Sequence, residues 1–96
     1  MPEGEGETLE TTLNETLRLL MTRTGSRQVD VADALGVTRA SLSQRLLGNS
    51  SWKVNDLPKV ADYFGLTVSE LLSGYAAIAS AKRLPPAKGT EGQTRI

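Results

Sequence analysis

Leucines recur along residues 9–20 at spacings of four, four and three (Leu9, Leu13, Leu17, Leu20), with Met21 beside the last. That spacing puts one apolar stripe on a helix. Thr8 is placed to cap its start, Glu10 suits the positive end of the helix dipole, and Gly25 is a natural left-handed stop. Ser26 offers a second N-cap. It precedes a short helix with Val31, Ala32 and Leu35 inward, which Gly36 ends. Val37 is an apolar plug and Thr38 a third cap. The helix behind it turns Leu42 and Leu46 inward and stops at Gly48. Residues 48–53 read as a loop. A fourth helix is predicted from Asn55 to Phe64, with Pro58 in its first turn, where a missing N–H costs nothing. Thr67 and Glu70 then form a capping box ahead of Val68, Leu71 and Leu72. This fifth helix is expected to run through Tyr75, Ala76, Ile78 and Ala79 to about Lys82, weakened at Gly74. No stretch alternates with period two long enough to suggest a strand. The expectation is an all-α, five-helix domain over residues 8–82. It is flanked by a disordered acidic N-terminus at 1–7 and a flexible tail at 83–96.

Composition narrows the chemistry. A chain of 96 residues holds one domain and one modest core. It has no Cys and no His, which removes thiolate metal sites, disulfides and the commonest general base. No nucleophile–base pair can be assembled, so an enzyme is the least supported class. No catalytic residue, metal site, cofactor or small-molecule substrate is expected. No apolar run approaches the roughly 18 residues a membrane span needs. The start of the chain is unlike a signal peptide, and a soluble, cytoplasmic protein is expected.

The formal net charge is zero, but the charges are unevenly spread. Residues 1–15 carry Glu3, Glu5, Glu7, Glu10 and Glu15 and no base. Residues 23–53 carry Arg23, Arg27, Arg39, Arg45 and Lys53 against Asp30 and Asp33. Residues 81–96 carry Lys82, Arg83, Lys88 and Arg95 against Glu91. A basic middle can face phosphate while the acidic end faces away. Charge alone does not separate that reading from a merely solvated surface.

The informative stretch is residues 28–48, QVDVADALGVTRASLSQRLLG. Two short helices meet there through a turn of three to four residues containing Gly, the spacing of a helix-turn-helix. Ala32 is small where the second helix must cross, Val37 fills the wedge, and Leu42 anchors the second helix. This stretch resembles the helix-turn-helix of the Cro/C1-type repressor family, also called the xenobiotic response element family. The similarity continues through DLPKVADYFGLTVSELL, and covers roughly residues 13–73. The chain is similar in particular to the short Cro-like or immunity-repressor type.

The resemblance implies that the helix at 38–47 lies in the major groove of a double-stranded DNA operator. Arg39 is suited to guanine O6 and N7, Gln44 to adenine N6 and N7, and Ala40 to a thymine methyl, with Ser43 as a further base-reading group. Gln28 matches the family position that bonds a backbone phosphate. Arg27, Thr38 and Lys53 are further phosphate candidates, and Asn55 a weaker one. Many members carry an apolar residue where this chain has Arg45. Here the apolar partner comes one step later, at Leu46, so Arg45 is expected to lay its stem on the core edge and reach a phosphate. Trp52 is expected to anchor the 48–53 loop rather than stack on a base. The helix around Tyr75–Ala79 is expected to carry a homodimer contact, with a monomer on an asymmetric site as the alternative. A repressor or Cro-like switch is the leading functional expectation. An antitoxin that autoregulates its operon, or a protein-interaction adaptor on the same fold, are the alternatives.

Overall fold

The structure, a computed structural model, describes residues 8–88. The sequence readings for residues 1–7, and for the tail beyond residue 88, lie outside the described residues. The described chain is all-α. Its helices are α1 (Leu9–Thr24), α2 (Gln28–Leu35), α3 (Arg39–Leu47), α4 (Asp56–Tyr63), α5 (Val68–Ser73) and α6 (Tyr75–Ser80).

Local chemistry sets most of these boundaries. The hydroxyls of Thr8, Thr38 and Thr67 each accept an N–H three residues on, from Thr11, Ser41 and Glu70. Glu70 completes its box by accepting from the Thr67 N–H at 2.9 Å. Four helices end in one pattern: the N–H of Val37, Asn49, Leu66 and Arg83 bonds the carbonyl five residues back. The preceding N–H bonds the carbonyl three residues back. This double closure needs a left-handed residue. Gly36 supplies it between α2 and α3, at φ 76°. At the end of α6 a non-glycine residue, Lys82, takes that conformation at φ 60°.

Two boundaries and one packing position differ from expectation. The fifth helix is two: Gly74, at φ 104° and ψ 159°, leaves helical space entirely and separates α5 from α6. Ser26 does not cap α2. Arg27 occupies the cap position, its N–H held by the Asp30 carboxylate at 3.0 Å, while the Ser26 hydroxyl bonds Thr24 and Tyr63. Leu9, the first residue of the α1 stripe, is 65% exposed.

The core is aliphatic and draws on every helix. Leu13, Leu17 and Leu20 of α1 meet Val31, Ala32 and Leu35 of α2, Leu42 and Leu46 of α3, and Val60 and Ala61 of α4. Leu71 and Ile78 close it from α5 and α6, with Phe64 and Leu66 between α4 and α5. Ile78 is thus core, not surface as a dimer contact would need, and what α6 exposes is Ala76, Ala77 and Ala79 and part of Tyr75.

The chain does not leave the body at residue 83, where the tail was expected to begin. Arg83 pairs with Glu70 at 2.7 Å and donates to the Gly65 carbonyl. Leu84 packs on the core. The Arg23 Nε–H donates to the Pro85 carbonyl, and the Lys88 N–H donates to the Arg23 carbonyl at 2.8 Å. Residues 83–88 therefore form a strap back to the end of α1.

Two predictions follow from this packing. Leu42 is fully buried and Leu47, on the same helix, is 61% exposed. Leu42→Ala should cost about 2–5 kcal/mol in urea unfolding, whereas Leu47→Ala should stay within about 0.5 kcal/mol of the parent. The second concerns acid. The Arg83 guanidinium, with the Thr67 N–H, lowers the Glu70 carboxyl from 4.5 to about 2. A depressed folded-state value means the unfolded chain takes the proton first as pH falls. The stabilisation is therefore complete above about pH 5 and lost as pH drops towards about 2. Glu70→Gln should flatten the melting temperature against pH over that window. An unchanged acid slope would show that the Glu70–Arg83 pair contributes nothing.

Candidate functional site

α2 and α3 are joined by a turn of three residues, Gly36, Val37 and Thr38. The C″ closure from Val37 N–H to Ala32 O, at 3.0 Å, folds the chain back tightly. Val37 packs half-buried on the core. Ala32 is buried, and its single methyl lets α3 approach. α3 then begins at once, because the Thr38 hydroxyl accepts the Ser41 N–H at 3.0 Å.

The nine residues of α3 divide by face. Leu42, Arg45 and Leu46 are buried. Arg39, Ala40, Gln44 and Leu47 are exposed, and Ser41 and Ser43 lie half-buried between. The predicted base-reading residues Arg39, Ala40 and Gln44 are therefore all displayed. Ser43 lies at the rim of a groove that it lines with Gln28, Ser26, Arg18, Met21, Thr22, Leu46 and Leu47, so the structure brings Ser43 and Gln28 together. Gln28 buries its Oε1 without a hydrogen-bond partner, and its Nε2 end is the part left for an outside acceptor. Gln44 accepts from the Asn49 side chain at 3.1 Å. Two-point contact with an adenine would require that oxygen to be shared or released.

The other predicted positions fare unequally. Thr38 is exposed and its O–H remains able to donate. Lys53 is exposed, and its ammonium enters none of the three ion pairs among the described residues. Asn55 precedes α4 but makes no side-chain cap bond, so its amide is uncommitted. Arg27 is exposed but held by Asp30, with Nη2 to Oδ1 at 3.1 Å. That contact keeps the Asp30 carboxyl below the usual carboxylate range and offsets the charge Arg27 would offer a phosphate.

Arg45 is not at the surface, which corrects the expectation of a phosphate contact. It is 5% exposed. Its Nε lies 3.1 Å from the Asp56 carboxylate, and Nη1 donates to the Ser41 hydroxyl at 2.6 Å. Its guanidinium stands over the Trp52 ring, 5.9 Å from the centroid. The Nε–H does not point along the line to Asp56, so that attraction is coulombic more than directional. Asp56 is itself fastened, accepting the Lys53 N–H at 3.0 Å. Trp52 anchors the loop, as expected, and also ties it to α1: its N–H donates to Glu10 at 2.8 Å and its Nε1–H to Asn14 at 2.7 Å. The far end of α3 is held by Arg18, which donates to the Leu46 carbonyl at 2.6 Å.

Sequence reasoning missed Asp56, Asn14, Glu10 and Arg18. A signal for Asp56 was present. Arg45 stands three residues after Leu42, on the same helix face, and a buried guanidinium requires an acid. No acid falls between Asp33 and Asp56.

The described residues hold no group of three or more His, Cys, Asp or Glu that could bind a metal ion. None of their helices is long and apolar enough to cross a membrane. Fold and surface define a small all-α domain that displays the polar face of a short, firmly seated helix behind a three-residue turn. The sequence profile of the family described as the BetR domain matches residues 9–94, and the chain belongs to that family. No curated protein and no solved structure matches it at a significant level.

Removing one member of the buried pair should be expensive. Asp56→Ala leaves the Arg45 charge buried without a counter-charge and should cost about 3–5 kcal/mol in urea unfolding. Arg27→Ala, which breaks the exposed ion pair but keeps the backbone N–H of residue 27 on Asp30, should leave the midpoint nearly unchanged. Equal small losses in both would mean that Arg45 escapes to water.

Proposed function

We propose that this protein is a sequence-specific double-stranded DNA-binding transcriptional regulator of the Cro/C1 type, a repressor or Cro-like switch, which reads the major groove with α3. The observation that carries the reading is the division of α3. One face is committed to the core through Leu42, Arg45 and Leu46, while Arg39, Ala40 and Gln44 stand in solvent on the first turns after the Thr38 cap. Side chains in the first half of such a helix are the ones that reach base edges when it enters a groove end-on.

In this reading Arg39 pairs with a guanine, Ala40 touches a thymine methyl, and Gln44 and Ser43 complete the base contacts. Gln28, Thr38, Lys53 and Asn55 hold phosphates, fixing register rather than sequence. Arg27 contributes less because Asp30 already holds it. A second copy would dock through the exposed alanines of α6.

Selection of bound duplexes from a random pool tests the reading, and enrichment of one sequence is the expected result. On that site Arg39→Ala should relax discrimination at one position by about 1–3 kcal/mol. Lys53→Ala should weaken every duplex alike and reduce the slope of log affinity against log salt by about 1. If the two variants lose affinity equally on all duplexes, the assigned roles are wrong. If the wild type enriches nothing, the DNA reading fails.

A further inference from the structure

We propose that Arg45 is a positioning residue for sequence choice: clamped beneath α3, it sets the roll of that helix and so which base edges Arg39, Ala40 and Gln44 can reach. The proposal rests on the DNA-binding reading and goes beyond it, because Arg45 itself would touch no DNA.

The geometry carries the argument. Leu42 and Leu46 lie four residues apart, on one line along α3. Two aliphatic contacts on one line resist withdrawal of a helix but only weakly resist its rolling about that line. Arg45 stands beside the line and, held by Ser41 on its own helix, reaches two other elements, α4 and the loop that follows α3. Nη1 bonds Ser41 one turn back at 2.6 Å, Nε lies 3.1 Å from Asp56 of α4, and the planar group stands over Trp52 of the loop. Its side chain is 6% exposed and that of Asp56 8%, so water does not substitute for these partners. The partners are fixed in turn. Asp56 accepts the Lys53 N–H, and Trp52 is bonded at both nitrogens to α1. The Ser41 bond fixes the guanidinium on α3, and a planar cation so fixed is drawn at once to the Asp56 carboxylate and the Trp52 face, a set position that a single aliphatic contact does not impose.

The tolerance is small. On a helix with Cα atoms at a radius of about 2.3 Å, a roll of about 20° moves each Cα by about 0.8 Å, and the tip of a long side chain further. Direct hydrogen bonds to bases span only a few tenths of an ångström in distance. A roll too slight to unfold the domain is therefore enough to break two-point contacts, while backbone contacts through long flexible side chains survive it.

The test compares the wild type with Arg45→Met/Asp56→Asn and with Ser41→Ala. The double variant removes both buried charges together, so neither is stranded, and the asparagine keeps an acceptor for the Lys53 N–H. Ser41→Ala removes one guanidinium contact and leaves the ion pair. Thermal melts followed by circular dichroism establish that each is folded at the assay temperature. Each is then put through selection from the same random duplex pool, and its affinity is measured for the wild-type site and for an unrelated duplex at low salt. Affinity for the unrelated duplex should stay within about twofold of wild type. The ratio of site to unrelated duplex should fall by about tenfold or more in the double variant, with a changed or broadened consensus, and by about threefold in Ser41→Ala. A merely structural role would lower the melting temperature and leave ratio and consensus alone. A folded double variant with the wild-type ratio and consensus overturns the proposal. If the double variant is unfolded at the assay temperature, Ser41→Ala decides, and an unchanged ratio there overturns it. A wild type that enriches no duplex sinks the DNA reading and this proposal together, an outcome recognised in the parent protein alone.

Discussion

The arrangement depends on α3 being seated on α2 and the core. A helix of nine residues is too short to persist alone in water, since isolated helices below about 12–15 residues are marginal even in favourable sequences. α3 therefore owes its existence to the burial of Leu42 and Leu46, to the close approach Ala32 permits, and to the Thr38 hydroxyl that satisfies its first turn. Because one face supplies that stability, most of the outer face has no structural duty. Among the described residues Arg39 and Ala40 make no side-chain bond to the body, and Gln44 makes only the one to Asn49. The requirement that makes the helix possible is also what leaves a polar surface available for recognition.

The buried pair alters how the chain's charge should be read. The stretch 23–53 has a basic excess on paper, yet its five cations are not equivalent. Arg45 is matched by Asp56 inside the protein, Arg27 by Asp30 at the surface, and Arg23 is turned to the strap at Pro85. Arg39 and Lys53 enter no ion pair among the described residues. The footprint left for phosphate is narrower than residue counts suggest. If α3 reads DNA as proposed, a 23–53 surface with few unpaired cations gains little from non-specific attraction, and discrimination there would fall more heavily on the geometry of α3.

What the sequence made legible was local. Threonine caps at 8, 38 and 67, glycine ends at 25, 36, 48 and 65, and the apolar spacings within each helix depend on residues within five positions of one another, and the structure follows them. Ser26 is a local exception, its expected cap replaced by Asp30 on the Arg27 N–H; the other misreadings have the opposite character. The Arg45–Asp56 pair joins residues eleven apart through a loop, Trp52 reaches Glu10 and Asn14 about forty positions back, and the strap reaches Arg23 from Pro85. Propensity and periodicity do not register such contacts. Gly74 is an intermediate case. Its weakness as a helix former was visible, but the break is decided by packing, which turns Leu71 and Ile78 into one core from two separate helices. On the surface of α3, exposure of Arg39, Ala40 and Gln44 followed from the inward leucines. Burial of Arg45 did not, because the same spacing that turns it inward conflicts with its charge until Asp56 is placed.

α1 explains why this seating is firm at both ends. At 16 residues it spans about 24 Å, and it is fastened along that length to segments on either side of α3. Near its start, Glu10 and Asn14 hold Trp52 in the loop that leaves α3. In its middle, Arg18 bonds the Leu46 carbonyl at the end of α3. At its close the strap returns to Arg23, and the next residues, Thr24 and Ser26, join a chain of hydroxyls to Tyr63 of α4. α3 thus cannot tilt without straining the Arg18–Leu46 bond and the Trp52 contacts just beyond its end. If α3 docks on DNA as proposed, a helix held this way would lose little backbone freedom, and the ordering cost would fall on the long side chains of Arg39 and Lys53. That division would favour recognition by shape: the backbone would bring a preset surface, on which only a few flexible cations would have to settle.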